Sequence, residues 1–274
     1  MPDFHCPVCG GPLRREERAL RCARGHSYDR ARQGYVNLLM SNHSSAKRHG
    51  DDKAMVAARR AFLDKGYYAP LRRELCEAAV AHCGAAVELL DAGCGEGWYT
   101  AGVQAALTEA GKPCRACGID ISREALIWAA KRGGELALAV AGVNRLPVAN
   151  RSCDLLLSIF APMDAGEFRR VLRRGGILLR AVPLEEHLMG LKAAVYDRPY
   201  PNPPPDCAPP EGFRLLERRD VRDTLQLSCG EDIRQLFMMT PYYYKTGRQD
   251  QEKLLALEHL ETAIAFGVLV YQRL

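Results

Sequence analysis

Residues Val87 to Gly97 read Val-Glu-Leu-Leu-Asp-Ala-Gly-Cys-Gly-Glu-Gly, an apolar run that meets an acid and then three glycines on alternate positions. This stretch narrows the fold more than any other. The run has the length of a buried strand, and from Trp98 the residues Val103, Ala106 and Leu107 fall at helical spacing. Strand, glycine loop and helix open a βαβ unit, in which the loop backbone meets a ligand at the carboxyl edge of a parallel sheet. Gly93, Gly95 and Gly97 permit close backbone approach that Cβ atoms would forbid. The spacing is GxGxG rather than the GxGxxG of dinucleotide sites, and no Lys-Ser/Thr follows as a phosphate-binding loop requires. A nucleoside whose tail is not a pyrophosphate is therefore expected. Asp91 favours a cationic or amino-bearing tail such as that of S-adenosylmethionine.

The alternation of apolar runs and helical stretches continues through residues 86–185. Arg115–Ile121 reads as the second strand and carries Asp120, 25 positions after Gly95, where a carboxylate can accept both ribose hydroxyls. Ala137–Val143 forms a third run that brings Ala141 and Gly142 beside the base. Asp154–Ile159 forms a fourth, leading into Phe160-Ala161-Pro162, where catalytic loops of such sheets lie. Phe168 to Gly176 reads as a helix stopped by glycine ahead of a strand at Ile177–Val182. Cys114 and Cys117 form a CxxC with no downstream pair and read as packed strand residues.

A second constellation lies at the front. Cys6-Pro7-Val8-Cys9 is followed after 12 intervening residues by Cys22 and then, after three more, by His26. Zinc takes four soft or borderline ligands at tetrahedral corners, and a CxxC knuckle supplies two of them from one tight turn. Gly10 and Gly11 let the chain turn so that its amides face the sulfurs, and Arg18–Cys22 reads as a hairpin strand returning the second pair. Gly25 and the extended Ser27-Tyr28-Asp29 argue for a ribbon rather than a helical finger. Four protein ligands leave no open position, so the metal is expected to be structural.

Charge follows the same partition. The net charge is +5, yet the first 60 residues hold 12 Lys/Arg against 6 Asp/Glu, so the remainder is nearly neutral. A basic front on a neutral body points to a polyanionic partner. The amino terminus lacks a basic and apolar leader, and no apolar run approaches the roughly 18 residues of a membrane span. A cytoplasmic protein with no membrane partner is expected, with its 11 cysteines read as reduced thiols or metal ligands. Three domains are expected: a zinc ribbon over 1–40, a helical linker over 41–85 contributing to the active-site cleft, and the cofactor body over 86–274. Within the linker a polar stretch at 41–50 leads into one helix through Met55, Ala58, Phe62 and Leu63 and a second opened by Pro70. Seven prolines within 199–210 mark a surface loop or lid. Tyr242-Tyr243-Tyr244 could stack bases, but such a run more often alternates between core and surface.

The ordered set Asp91, Gly93, Gly95, Gly97, Asp120 and Arg-Arg-Gly-Gly at 173–176 resembles the class I S-adenosylmethionine-dependent methyltransferases. That resemblance implies a Rossmann-like seven-stranded sheet whose last, antiparallel strand lies near Ala263–Tyr271. Together with Cys6-Pro-x-Cys9, Cys22-x-x-Gly25-His26-Ser-Tyr-Asp29, Gly34-Tyr35-Val36-Asn37-Leu38-Leu39, Ala58-Arg59-Arg60-Ala61-Phe62-Leu63 and Met239-Thr240-Pro241, the chain resembles the RlmA family of 23S rRNA guanine-N1 methyltransferases along nearly its full length. The resemblance implies methylation of guanine N1 in hairpin 35 of 23S rRNA, structural zinc on Cys6, Cys9, Cys22 and His26, and a homodimer. It also implies that Tyr68, Gly95, Glu96 and His187 contact S-adenosylmethionine. Two branches of the family choose neighbouring guanines. Asp164, close after Phe160-Ala161-Pro162, is a candidate for the general base, with a helix cap as its simpler role. Two other readings remain: a class I methyltransferase of a small metabolite, and a zinc-ribbon RNA-binding module with an inactive cofactor domain.

Overall fold

A computed structural model describes residues 4–40, 51–132 and 135–274; the polar stretch at 41–50 lies outside the described residues. The front folds as a three-stranded antiparallel sheet of β1 (Arg14–Arg15), β2 (Ala19–Arg21) and β3 (Ser27–Asp29). A fourth strand follows, β4 (Val36–Asn37). Two helices come next, α1 (Lys53–Asp64) and α2 (Ala69–His82). The α1 N-terminus is capped by Asp52, whose carboxylate accepts the Met55 amide at 2.9 Å, and Pro70 sits in the first turn of α2.

The body then alternates as the sequence pattern predicts. It runs β5 (Val87–Ala92), α3 (Trp98–Glu109), β6 (Cys114–Asp120), α4 (Arg123–Ala129), β7 (Leu136–Val140), β8 (Cys153–Ile159), α5 (Ala165–Val171), β9 (Leu172–Pro183) and α6 (Met189–Val195). It closes with β10 (Phe213–Leu227), α7 (Gly230–Met238), α8 (Arg248–Leu255) and β11 (Leu260–Arg273). The sheet order is β10-β11-β9-β8-β5-β6-β7-β4. Seven of its strands have the class I methyltransferase order, with β11 antiparallel to both β9 and β10. The eighth is β4 from the front segment, which pairs parallel with β7 through Val36↔Ala139 and Asn37↔Val140. The expected seven strands therefore become eight.

From β5 the chain steps outward through β6 and β7, then returns to place β8 on the other side of β5. The direction of strand progression reverses there, and a crevice opens at the carboxyl ends of β5 and β8. Strand periodicity divides the core. Leu89, Leu155, Leu179, Phe266 and Val268 face α1 and α2 in one buried cluster, which also holds Phe62, Leu71 and Leu75. Leu90, Leu156, Leu178 and Leu269 face the other way, against Phe168 of α5 and against Phe4, Leu13, Val36 and Leu38 of the front.

Three local expectations are corrected or refined. The helix expected from Phe168 to Gly176 ends at Val171, because Leu172 is already paired with Cys153. The register then slips before Leu155↔Ile177, so Arg173–Gly176 bulge from the strand. The Pro-rich segment forms neither helix nor strand but is fastened down. The Asn202 amide donates to Glu185 O at 2.9 Å, the Tyr271 hydroxyl to Cys207 O at 3.1 Å and the Lys192 ammonium to Tyr200 O at 3.0 Å. Of the tyrosine run, Tyr243 packs on Phe237, Tyr242 donates to Asn202 Oδ1 at 3.0 Å, and Tyr244 is exposed. Among the described residues no helix is long and apolar enough to cross a membrane.

Candidate active site and metal centre

The CxxC turn is built as its glycines require. The Gly10 amide donates to Cys6 O at 2.8 Å, the Cys6 amide to Gly11 O at 2.8 Å, and Gly10 has φ +71°, a left-handed conformation suited to glycine. The β2–β3 hairpin returns Cys22 and His26, closed by the Cys22 amide on His26 O at 3.0 Å. One donor atom from each of Cys6, Cys9, Cys22 and His26 then lies within 4.8 Å of every other. Cys9 Sγ is 3.6 Å from Cys22 Sγ, and His26 Nδ1 is 3.2 Å from Cys22 Sγ and 3.6 Å from Cys6 Sγ. Tetrahedral edges about zinc should measure roughly 3.5–3.8 Å, given bonds of about 2.3 Å to sulfur and about 2.1 Å to nitrogen. The donor set and spacing fit the metal. Burial raises the Cys6 thiol, but the Tyr28 hydroxyl at 3.1 Å and the amides of Cys9 and Val8 outweigh it, bringing the group down to about 6. Thiolate is the ligating form, and these donors hold it.

At the carboxyl end of β5 the glycine loop turns under α3. Gly93, Gly95 and Gly97 have φ of +99°, +55° and +82°. Their surroundings differ. A Cβ on Gly93 would come within 2.6 Å of the Ala161 side chain, and one on Gly97 within 3.3 Å of the Ala129 backbone, so these two are needed for packing. A Cβ on Gly95 would meet nothing within 4 Å, which leaves that stretch of loop open toward a ligand. Asp120, at the end of β6, accepts the Gly95 amide at 2.8 Å and the Ser122 amide at 2.8 Å. Its carboxylate thereby fixes the loop while keeping lone pairs for hydroxyl donors. Burial raises Asp120, and those two amides oppose the rise.

Asp91 is fully buried, with one oxygen bonded by the Thr100 hydroxyl at 2.6 Å. Its other oxygen, Oδ1, and the hydroxyls of Tyr99 and Ser158 are buried without partners among the described residues. Burial raises Asp91 to about 7. A cationic ligand group beside an orphaned acid oxygen would satisfy it. Glu96 is buried as well, and burial raises it; Arg132 opposes by donating from Nε at 2.7 Å and from Nη2. Arg132 also donates to Asp64 of α1, so one guanidinium ties the glycine loop to the linker helix. Sequence reading missed Arg132, because a partner 36 residues away leaves no spacing signal.

The far wall of the crevice is aromatic. The Tyr68 ring, at the start of α2, is 5.0 Å from Phe266 and 6.1 Å from His187, and His187 is 4.5 Å from Phe266. Phe160 lies 5.5 Å from Phe266 and 6.4 Å from Tyr99. Phe160 is 45% exposed and has φ +54°, an uncommon and strained setting for an aromatic residue. Among the sequence candidates, Tyr68 and His187 share this wall, while Asp91, Gly93, Gly95, Glu96, Gly97 and Asp120 gather around the loop. Asp164 stands apart in role: its carboxylate accepts the Glu167 amide at 2.9 Å and caps α5.

Comparison with known proteins agrees with this construction. Residues 4–47 match the RlmA N-terminal zinc-ribbon family, and residues 90–180 match a methyltransferase domain family. A 23S rRNA (guanine(748)-N(1))-methyltransferase from Streptomyces fradiae is 40% identical over 195 residues, covering 70% of this chain and 67% of that protein. A protein of Micromonospora griseorubida named for 23S rRNA (guanine-N(1)-)-methyltransferase activity is 39% identical over 210 residues, covering 70% and 69%. YxjB of Bacillus subtilis, named likewise, is 33% identical over 198 residues, covering 70% and 68%. The zinc ribbon, the class I sheet and these relatives together make the chain a member of the RlmA-type 23S rRNA (guanine-N1-)-methyltransferase family.

Proposed function

We propose that the protein transfers a methyl group from S-adenosylmethionine to N1 of a guanine in hairpin 35 of 23S rRNA, in the cytoplasm. The observation that carries this reading is the fusion of an RlmA-type zinc ribbon to a class I cofactor sheet. S-adenosylmethionine supplies an electrophilic methyl group on a sulfonium. The residues that would hold it are Asp120 at the ribose, Gly93, Gly95 and Gly97 along the loop, Asp91 and Glu96 below it, and Tyr68 and His187 on the aromatic wall. What the protein does beyond binding is alignment, since an in-line displacement depends on holding nitrogen and methyl in near contact.

Guanine N1 is hidden in a base pair, so a loop or flipped nucleotide must enter the crevice. Phe160, exposed and strained at the end of β8, is placed to stack on that base. The N1 proton must leave as the N–C bond forms. His187 is neutral at ordinary pH with Nδ1 already accepting the Ala265 amide at 3.2 Å, and Asp164 is engaged as a cap. The proton is therefore assigned to solvent. The RNA grip is assigned to the ribbon, where Arg14, Arg15, Arg18, Arg21, Arg24 and Arg32 are all exposed. Among the described residues only Arg21 of these has an ion pair, with Glu16 at 3.7 Å. A homodimer fits an extended rRNA substrate but is not required by the chemistry.

Undermodified 23S rRNA incubated with labelled methyl donor and mapped by primer extension tests the proposal. A new stop within hairpin 35 is expected, and its position assigns the chain to one of the family's two branches. No stop there, or transfer to a small acceptor insensitive to salt, would remove the reading in favour of a metabolite methyltransferase. Binding of RNA without any binding of S-adenosylmethionine would favour an inactive module.

A further inference from the structure

Arg59 lies on the face of α1 that also carries Met55, Val56, Phe62 and Leu63 inward. Its Nη1 donates to Asp51 and its Nη2 to Met239 O at 3.4 Å. Neighbouring contacts locate it. Asp51 O accepts the Ser122 hydroxyl at 2.8 Å, and Ser122 in turn donates its amide to Asp120 at 2.8 Å, so the start of α1 is laced to the ribose acid. Further along the same helix, Asp64 shares Arg132 with Glu96 of the glycine loop. The helix thus crosses the crevice mouth between Asp120 and Glu96, and Arg59 stands between the two ties. Its charge is felt inside: burial raises Asp120, Glu96, Tyr68 and Tyr99, and the Arg59 guanidinium opposes the rise in all four.

The other guanidiniums nearby are committed. Arg132 is held by Glu96 and Asp64, Arg60 pairs with Asp64 at 3.3 Å and covers the Trp128 ring at 4.0 Å, and Arg72 covers the Trp98 ring at 4.0 Å. Arg59 differs in neither covering an indole ring nor being shared with the glycine loop: its partners are the Asp51 carboxylate, 31% exposed, and the Met239 carbonyl. A ligand placed with its ribose at Asp120 and its sulfonium along the loop carries an α-ammonium and an α-carboxylate at the tail. Asp91 and Glu96 are acids and can receive only the cation. The carboxylate needs a donor of opposite charge, and a planar guanidinium binds carboxylate through two parallel hydrogen bonds.

We infer that Arg59 binds the α-carboxylate of the S-adenosylmethionine tail, releasing Asp51 to water as it does so. The exchange costs little, because Asp51, partly exposed, is taken up by water and a solvent-screened ion pair contributes little, while an unpaired carboxylate under α1 would be costly. The inference rests on S-adenosylmethionine as methyl donor and is independent of which RNA is modified.

Calorimetry on the zinc-loaded full chain tests it with two probes: S-adenosylhomocysteine, which has the amino-acid tail, and 5′-methylthioadenosine, which has the same nucleoside without it. Arg59→Ala is expected to weaken S-adenosylhomocysteine about 10- to 100-fold and to leave methylthioadenosine within about twofold. Arg59→Lys should fall between, and Asp51→Asn should bind S-adenosylhomocysteine at least as tightly as the parent chain. If Arg59→Ala fails to fold, Arg59→Lys and Arg59→Gln carry the same ratio of probes. Equal weakening of both probes would overturn the assignment in favour of a structural role. Unchanged S-adenosylhomocysteine affinity with a raised KM for RNA would overturn it in favour of an RNA phosphate contact. Loss of rRNA methylation alone bears on the substrate and leaves this comparison standing.

Discussion

His187 is a buried imidazole whose proton position is set by its neighbour. Because Nδ1 accepts the Ala265 amide, the ring's single proton sits on Nε2, making it a donor toward the crevice. Burial and the Lys192 charge lower the group to about 3. Its folded pKa lies below its unfolded value near 6.5, so its contribution to stability is full above about 6.5 and is lost as pH falls toward 3. His187→Asn keeps an acceptor for the Ala265 amide. It is expected to lower S-adenosylhomocysteine affinity several-fold, about 1 kcal/mol, while the pH–rate profile between about 6 and 9 keeps its shape. Disappearance of an acid limb in that variant would make His187 the base after all. Asp91 behaves in the opposite sense. Its folded pKa of about 7 stands above the unfolded value, so the folded chain holds this proton and loses stability as pH rises from about 4 to about 7. At pH 8 the ligand-free Asp91→Asn variant should be more stable than the parent by on the order of 2 kcal/mol in a denaturant titration. The same variant should bind S-adenosylmethionine more weakly, as expected where an acid is kept for a cationic ligand. Phe160→Ala should reduce turnover on rRNA about tenfold or more and leave S-adenosylhomocysteine affinity unchanged, if the ring stacks on the target base and not on the cofactor.

At the scale of elements, α1 is held to the glycine loop by a charge relay of unequal burial. Glu96 is 2% exposed and Arg132 16%, while Asp64 faces water. Removing one member of a buried pair strands the other, at about 3–5 kcal/mol. Arg132→Met alone is therefore expected to melt well below the parent, and Arg132→Met with Glu96→Gln to recover most of the loss. Equal melting of the single and double variants would show that Glu96 is not held ionised by Arg132. Nothing in the sequence announces this tie, since it joins residues brought together only by the crossing of helix and loop. The βαβ pattern was legible because strands buried on both faces, such as Leu89-Leu90 and Leu155-Leu156-Leu157, read as continuous apolar runs. The strand β10 leaves no such continuous apolar run in the sequence. It is an edge strand with one partner, and Arg218, Arg219, Asp220, Arg222 and Asp223 fill positions that would be apolar in a central strand. The α5–β9 boundary misled for a related reason. Arg173 and Arg174 have good helix propensity, but the tertiary pairing of Leu172 with Cys153 overrides it. At the front, the clustering of Cys6, Cys9, Cys22 and His26 was legible from their spacing, whereas β4 was not, two residues being too few to show a period.

At the scale of the molecule, the ribbon is part of the sheet's architecture and more than a basic attachment. The β4 strand extends the sheet beside β7, and Leu38 donates its amide to Val140 O at 2.9 Å. Phe4 bridges to Val148, the His5 amide donates to Pro147 O at 2.7 Å, and Arg145 donates to Pro7 O at 2.7 Å. Two of the clustered donors, Cys6 and Cys22, lie in the same buried cluster as Leu156, Phe168 and Leu178 of the body. Metal-binding free energy is folding free energy wherever the site does not persist in the unfolded chain, and here that energy has a route into the cofactor domain. The route ends at the acid that fixes the glycine loop: Val140, the partner of β4, precedes Ala141, whose amide donates to Asp120 O at 3.1 Å. Chelation of zinc, or Cys9→Ser, is therefore expected to lower a single cooperative melting transition by about 5–10 °C. The same treatment should weaken S-adenosylhomocysteine binding. Differential scanning calorimetry with and without chelator, paired with nucleoside titration, reads both effects. Two separate transitions, with the upper one and the affinity both unmoved by metal loss, would mean that the ribbon folds as an independent RNA handle. A single shifted transition with weaker nucleoside binding would mean that the exposed arginines stand on a platform whose rigidity the methyl-transfer site shares.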